Sequence, residues 1–305
     1  MMNLKLLFPL LCLSLMMSCK ASKLAQKKTQ DLGDFPYQME ADAVYQLDSE
    51  LNEISGLSLY KDDRYLLAVQ DEDGIVFHLD KQSGAIINKS NFKKAGDYEG
   101  LCYKDDKCFV LKSSGTIYEM DLQAEELIIK KHKGLLNKKM DHEGITFDQV
   151  SNKFLVCCKD SEGLEPENNN NRFIYALDLQ SNTKEDFFRL NRREIMEHLR
   201  NTCTSEEIDE THKKIFDEDR DYLHAGPSGI CIHPLNGLVY VLSSKGKYLF
   251  ICTRNGKIKE MIKLDKRVLP QPEGIVIDHD GTMYIASESS DKSKAVLSVY
   301  KMKVQ

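Results

Sequence analysis

Asp97-Tyr-Glu-Gly100-Leu101 and Asp141-His-Glu-Gly144-Ile145 are two copies of one short pattern, and three more follow it along the chain. These are Glu53-Ile-Ser-Gly56-Leu57, Gly226-Pro-Ser-Gly229-Ile230 and Gln271-Pro-Glu-Gly274-Ile275. In each, a polar residue followed by glycine reads as a turn that opens an apolar run. The five glycines fall 44, 44, 85 and 45 residues apart. A period of that size, filled with short strands between turns, is the signature of β-propeller blades.

Working outward from each glycine, alternating apolar runs bounded by turn residues give four strands per repeat. In the first repeat they fall at about residues 56–60, 65–69, 74–79 and 86–92. The last repeat supplies only three strands after Gly274. Residues 43–48, Ala-Val-Tyr-Gln-Leu-Asp, are the natural fourth. Pairing them with the last blade closes the ring and removes the exposed edges of an open stack of sheets.

The 85-residue gap admits a degenerate sixth blade or an insertion. Between about residues 191 and 222 the chain is highly charged, and its apolar residues Ile195, Leu199, Ile208, Ile215 and Phe216 follow helical spacing. An insertion is the better account. The expected fold is therefore all-β: a five-bladed β-propeller over residues 43–305, closed by the N-terminal strand, with a small helical insertion between blades three and four.

A chain of 305 residues with 41% hydrophobic content can bury one large core. The net charge of -6 and the lack of a basic patch beyond residues 20–28 argue against nucleic acid as a partner. Residues 1–18 read as a signal peptide, with Lys5 ahead of an apolar stretch too short to span a bilayer. Leu15-Met-Met-Ser-Cys19 is similar to a bacterial lipobox, with Met16 where leucine is usual. Cys19 would then carry the lipid and residues 19–42 form a tether holding a monomer to the membrane of a bacterial cell envelope, periplasmic or surface-exposed. Simple secretion and an uncleaved anchor are the alternatives.

Seven of the nine cysteines follow Cys19, so at least one has no intrachain partner. Most sit in apolar strands and read as small buried hydrophobes. A two-residue turn at Asp105-Asp106 places Tyr103, not Cys102, opposite Cys108. No zinc-type Cys/His spacing occurs.

Strand side chains alternate, so the residues one and three before each glycine should share a direction. The nearer positions are Ser55, Glu99, Glu143, Ser228 and Glu273; the farther are Glu53, Asp97, Asp141, Gly226 and Gln271. Six carboxylates, those of Glu53, Asp97, Glu99, Asp141, Glu143 and Glu273, thus converge near the axis on one face, the top. Two unit charges 5 Å apart repel by about 3 kcal/mol at an effective dielectric constant of 20. Such a ring must hold a cation, share protons or splay into water. An all-oxygen donor set of this size favours a hard cation, calcium before magnesium. The competing account is structural: glycine for close backbone approach, and acids as acceptors for neighbouring blades.

The ends of the second strands, Asp71-Glu72-Asp73, Ser113-Ser114, Asp160, Ser243-Ser244 and Ser287-Glu288, should emerge on the same face. Ser55, Asp71, Ser228, Gln271 and Glu288 are accordingly its further polar residues. His142, His233, His78 and His279 read as packing or turn residues, no catalytic residue is assigned, and no nucleophile elbow or phosphate-cradling loop is present. The polar loop at residues 161–171 is a possible cover for the top face.

Taken in order, Asp97-Tyr-Glu-Gly100, Asp141-His-Glu-Gly144, Gly226-Pro-Ser-Gly-Ile-Cys-Ile-His-Pro234, Tyr240-Val-Leu-Ser-Ser244, Gln271-Pro-Glu-Gly-Ile275 and Tyr284-Ile-Ala-Ser-Glu288 resemble the SdiA-regulated domain family, with its YjiK-like proteins. The resemblance runs from about Ala43 to the C-terminus. It implies an extracytoplasmic β-propeller, often lipidated, with calcium in some members and no established enzymatic activity for the family. The chain is more remotely similar to esterase-like phytases and calcium-dependent lactonase propellers. Gly226 and Ser228 depart from a uniform acidic repeat.

Three functions stay open on this basis. The first is a membrane-tethered propeller that binds calcium on its axis and offers its top face to a protein or small-molecule ligand, as a binding or signalling module. The second is a metal-dependent hydrolase of an ester, lactone or phosphoester, with Glu143 or Glu273 as general base. The third is a scaffold around a hydrated channel.

Overall fold

The repeated glycine sits inside a strand, not in a turn. In the computed structural model, which describes residues 35–61, 63–160, 169–217 and 222–303, each pattern lies two or three residues into the first strand of a four-stranded antiparallel sheet. Blade one is β2 (Ile54–Tyr60), β3 (Tyr65–Gln70), β4 (Ile75–Asp80) and β5 (Ile86–Asn91). Blade two is β6 (Tyr98–Lys104), β7 (Lys107–Lys112), β8 (Ile117–Met120) and β9 (Ile129–His132). Blade three is β10 (His142–Asp148), β11 (Lys153–Cys158), β12 (Asn171–Asp178) and β13 (Thr183–Asn191).

Blade four is β16 (Gly226–Ile232), β17 (Val239–Lys245), β18 (Tyr248–Cys252) and β19 (Ile258–Lys263). Blade five is β20 (Pro272–Ile277), β21 (Met283–Ser287) and β22 (Val296–Tyr300), completed on its outer edge by β1 (Ala43–Gln46). The β1 to β22 ladder runs from Ala43 opposite Val299 to Gln46 opposite Val296. First strands meet in the cyclic order β2, β6, β10, β16, β20 and back to β2, so the ring has five blades and is closed as expected.

The glycines are explained by this ring. None of the five has a positive φ, so conformational freedom is not what selects them. Each backbone lies hard against the first strand of the next blade instead. A Cβ on Gly100 would sit 2.5 Å from the Glu143 carbonyl oxygen, and one on Gly144 2.8 Å from the Cα of Gly229. Five sheets converging on one axis leave no room there for a side chain. The residues that follow, Leu57, Leu101, Ile145, Ile230 and Ile275, are buried, one in each apolar layer between blades.

The long gap holds an insertion. Helices α1 (Arg192–Thr202) and α2 (Ser205–Ile215) bury Ile195, Leu199 and Ile215 with Phe188, Leu190 and Phe250 of the flanking blades. Thr204 and Glu207 start α2 as a reciprocal cap, Glu207 Oε2 accepting from the Thr204 amide at 2.8 Å. The chain returns through the short pair β14 (Phe216–Asp217) and β15 (Tyr222–Leu223). Arg172 on β12 clasps that return. It is fully buried, and its guanidinium donates to the carbonyls of Ala225, Asn169, Asn171 and Leu223.

One boundary moves. Residues 35–42, read as tether, are packed: Phe35, Tyr37, Met39 and Ala41 join the apolar layer between blades four and five. Tyr37 Oη donates to the Gly281 carbonyl at 2.8 Å and lies 3.0 Å from His233 Nε2. Alternation at 35, 37, 39 and 41 was the signal for this. Cys19, residues 1–18 and most of the tether lie outside the described residues, as do residues 161–168 of the expected cover. Among the described residues no helix is long and apolar enough to cross a membrane. All seven later cysteines are free, and Tyr103 does pair with Cys108.

Candidate metal centre

Each first strand carries a β-bulge at the repeated pattern. In blade two Tyr98 pairs with Lys112 and Gly100 with Leu111, leaving Glu99 as the extra residue. Ser55, Ser228 and Glu273 are extra in the same way, and in blade three the shift spans Glu143 and Gly144. A bulge re-aims the side chain it adds. Ser55, Glu99, Ser228 and Glu273 line a small axial cavity of about 10 Å³, walled by the glycines and the apolar residues that follow them. That volume is about one water molecule.

The acids that the pattern aligns come together unevenly. Carboxylate oxygens of Glu99, Asp141 and Glu143 all lie within 4.8 Å of one another. Asp141 reaches this cluster from a left-handed backbone, φ 51°, a conformation that Asp tolerates better than most residues. Asp97 is exposed, accepts a hydrogen bond from the Ser113 hydroxyl and perturbs Glu99. Glu273 is 6% exposed, and its Oε2 has no hydrogen-bond partner. Glu53 stands further round the mouth, where its charge acts on Asp71 and Glu288.

Ser55 and Ser228 spend their hydroxyls on the backbone, donating to the carbonyls of Glu53 at 3.2 Å and Pro272 at 2.7 Å. Gln271 Nε2 donates to Glu288 Oε2 at 2.6 Å.

Second-strand ends do share the top face. The amides of Asp71, Ser113, Lys159 and Glu288 donate to the carbonyls of Glu53, Asp97, Asp141 and Gln271, at 3.2, 3.2, 2.9 and 2.9 Å. These bonds put the blade-three position at Lys159, one residue before the expected Asp160. Its ammonium lies 2.8 Å from Glu143 Oε1, with the Glu143 side chain 2% exposed and that of Lys159 25%. The sequence reading missed this basic residue. Aligning the residues that follow the second strands in blades one, two, three and five, Asp71, Ser113, Lys159 and Glu288, singles it out.

The electrostatics follow from this crowding. Burial, then the Glu143 charge and Asp97, push the Glu99 carboxyl far above the carboxylate range. Burial raises Glu143 and Glu273 too, with Lys159 opposing in both. Burial pulls Lys159 down, but the charges of Glu143 and Glu273 outweigh it and hold the ammonium above its ordinary value. At the mouth, burial and then neighbouring acids push Glu288 up to about 8 and Asp71 up to about 6. Burial and mutual repulsion therefore disfavour a full set of bare carboxylates here, and a proton or a nearby ammonium relieves them.

An oxygen-only donor set and a buried carboxylate oxygen without a partner fit a divalent cation: Glu99, Asp141 and Glu143 would hold it, with Glu273 adjacent. The histidines are placed elsewhere. His142 is buried and faces Ser113, whose carbonyl lies 2.8 Å from Nδ1, and burial pushes His233 down to about 4.

No curated protein matches the chain. Among solved structures, a glutaminyl cyclase from Myxococcus xanthus is similar, at 9% identity and a TM-score of 0.55, over 86% of this chain and 95% of that one. A nidogen/laminin complex gives 10% identity and a TM-score of 0.49, over 83% of this chain and 86% of that one. A luciferin-regenerating enzyme gives 10% identity and a TM-score of 0.46, over 85% and 95%. At 9% identity the cyclase structure bears on the fold alone. The profile of the SdiA-regulated family, by contrast, matches residues 28–291, which hold every acid of the ring and all of the blades except the strand β22 of blade five. The chain is a five-bladed member of the SdiA-regulated family.

Proposed function

We propose that this protein is an extracytoplasmic, lipid-tethered propeller that binds calcium at the top of its axis and acts there as a binding module for a protein or small molecule. The observation that carries the cation is the convergence of Glu99, Asp141 and Glu143 oxygens within 4.8 Å, with Glu143 buried and the other two half-buried. Calcium suits the set because it accepts six to eight oxygens in flexible geometry, including carbonyls and water.

A hydrolase of an ester, lactone or phosphoester has less behind it. Of its candidate bases, Glu143 is tied to Lys159 and Glu273 is buried, and the axial cavity of about 10 Å³ admits no substrate. Any ligand larger than an ion sits over the mouth.

Calorimetric titration of the chelator-treated protein with calcium tests the assignment. Saturable binding that disappears in Glu99→Gln/Glu143→Gln is the expected result, and heats no larger than dilution in the unaltered protein would sink it. For the tether, Cys19→Ser should move the protein from the membrane to the soluble fraction, and unchanged membrane retention would count against lipidation at that residue.

A further inference from the structure

The acidic ring already contains a positive charge of its own. We propose that Lys159 is the resident cation of the site, and that a divalent ion competes with its ammonium for the same carboxylate oxygens. The inference rests on the cation-binding role proposed above and adds a specificity-determining residue to it.

Position is the first ground. The residue after the second strand is Asp71, Ser113 and Glu288 in blades one, two and five but Lys159 in blade three, while the second strand of blade four runs on to Lys245 opposite Gly226. The main chain leaves no choice in the matter, because the Lys159 amide is bonded to the Asp141 carbonyl at 2.9 Å and the side chain starts beside the cluster.

Geometry is the second. Nζ stands 2.8 Å from Oε1 of Glu143, one of the three residues whose oxygens lie within 4.8 Å of one another. A calcium ion takes its oxygens at about 2.3–2.6 Å. An ion bound at that distance among these oxygens occupies the space and the lone pairs that the ammonium uses.

Charge is the third. The Lys159 ammonium faces Glu99, Asp141, Glu143 and Glu273, with Lys247 adding its charge only near Glu273 and Glu288, and the buried Glu273 Oε2 is left without a partner. Lys159 thus satisfies the ring in part only, which is the condition for a second cation to displace it. The displaced side chain has somewhere to go. It is flexible, a quarter exposed, and its charge already acts on Glu288 at the mouth. Ion binding would therefore turn a sequestered amine into one presented on the top face, where a partner meets it.

The test uses the full chain with calcium chloride as the probe, and two readouts. In calorimetry, Lys159→Met should bind calcium at least tenfold more tightly than the unaltered protein. In the unaltered protein, acetylation of Lys159 by an amine-reactive ester, followed by mass spectrometry, should run at least threefold faster with calcium than with chelator. If the unaltered protein binds calcium and Lys159→Met binds it no more tightly, competition is overturned while the cation-binding role stands. Binding by Lys159→Met alone supports the resident ammonium and removes calcium from the native function. Binding by neither removes both. Should Lys159→Met not fold, the labelling decides: calcium binding with no change in Lys159 reactivity overturns the inference.

Discussion

Lys159 Nζ and Glu143 Oε1 lie 2.8 Å apart beside the half-buried carboxylates of Glu99 and Asp141. Both side chains belong to one blade, Glu143 in β10 and Lys159 just after β11, and the register shift in β10 falls at Glu143.

The mouth of the ring should make stability depend on pH. Glu288 rises from its ordinary 4.5 to about 8, and Asp71 from 3.8 to about 6. Both bind protons more tightly folded than unfolded, so their contribution is complete below about pH 4 and is lost as pH rises to about 8. In chelator, Glu288→Gln keeps that position neutral. Its melting temperature relative to the unaltered protein should climb steadily from pH 5 to pH 8; a difference that stays flat across the range would contradict the assignment.

Gly100→Ala tests the convergence of the blades. The new Cβ would stand 2.5 Å from a backbone oxygen of the next blade, which cannot move without shifting its strand. A loss of about 1–3 kcal/mol in denaturant unfolding is expected from overpacking of this kind. No measurable loss would mean that the inner strands are spaced more widely than described.

Arg172 should hold the helical insertion in place. Replacing it with Met leaves the carbonyls of Ala225 and Leu223 buried without their donors, at a cost on the order of 3 kcal/mol. Amide exchange should quicken first in α2 and β15. Arg172→Lys should rescue little, since an ammonium cannot reproduce the fork. Uniform acceleration across all five blades would point to a global role instead.

Tyr37→Phe removes one hydroxyl that meets Gly281 and His233, and should lower stability by about 1 kcal/mol. Starting the chain at residue 43 should cost more, because Phe35 and Met39 go as well. Equal stability of both shortened and full chains in thermal melts would return residues 35–42 to the tether.

The blade count, the closing strand and the insertion were legible because each rests on a periodicity: glycine spacing, alternation in residues 43–48, and helical spacing around Ile195 and Leu199. The bulges were not. An extra residue in a strand leaves no mark in composition, so Glu99 and Glu273 were aligned by simple alternation inside a turn, where the structure has a bulge within a strand. Lys159 was missed for a related reason. A strand end uncertain by one residue put Asp160 at the critical position and so hid the only ammonium within bonding distance of Glu143 among the described residues. Tyr37 was lost to the polar residues around it, although its alternation with Phe35 and Met39 was present.

Beginning and end of the folded ring meet at one point: the amide of Lys303 donates to the Pro36 carbonyl at 2.8 Å, next to the β1 to β22 ladder. The order of blades in the gene is then separable from their order in space. Joining residues 36 and 303 by a short linker and opening the chain at an outer turn, such as the one at Gly134 where nothing lies within 4 Å of an added Cβ, should give a circular permutant with the same ring. Such a permutant would move any membrane attachment to another point of the perimeter, so the distance between anchor and acidic mouth becomes a quantity that can be varied while the mouth itself is left untouched.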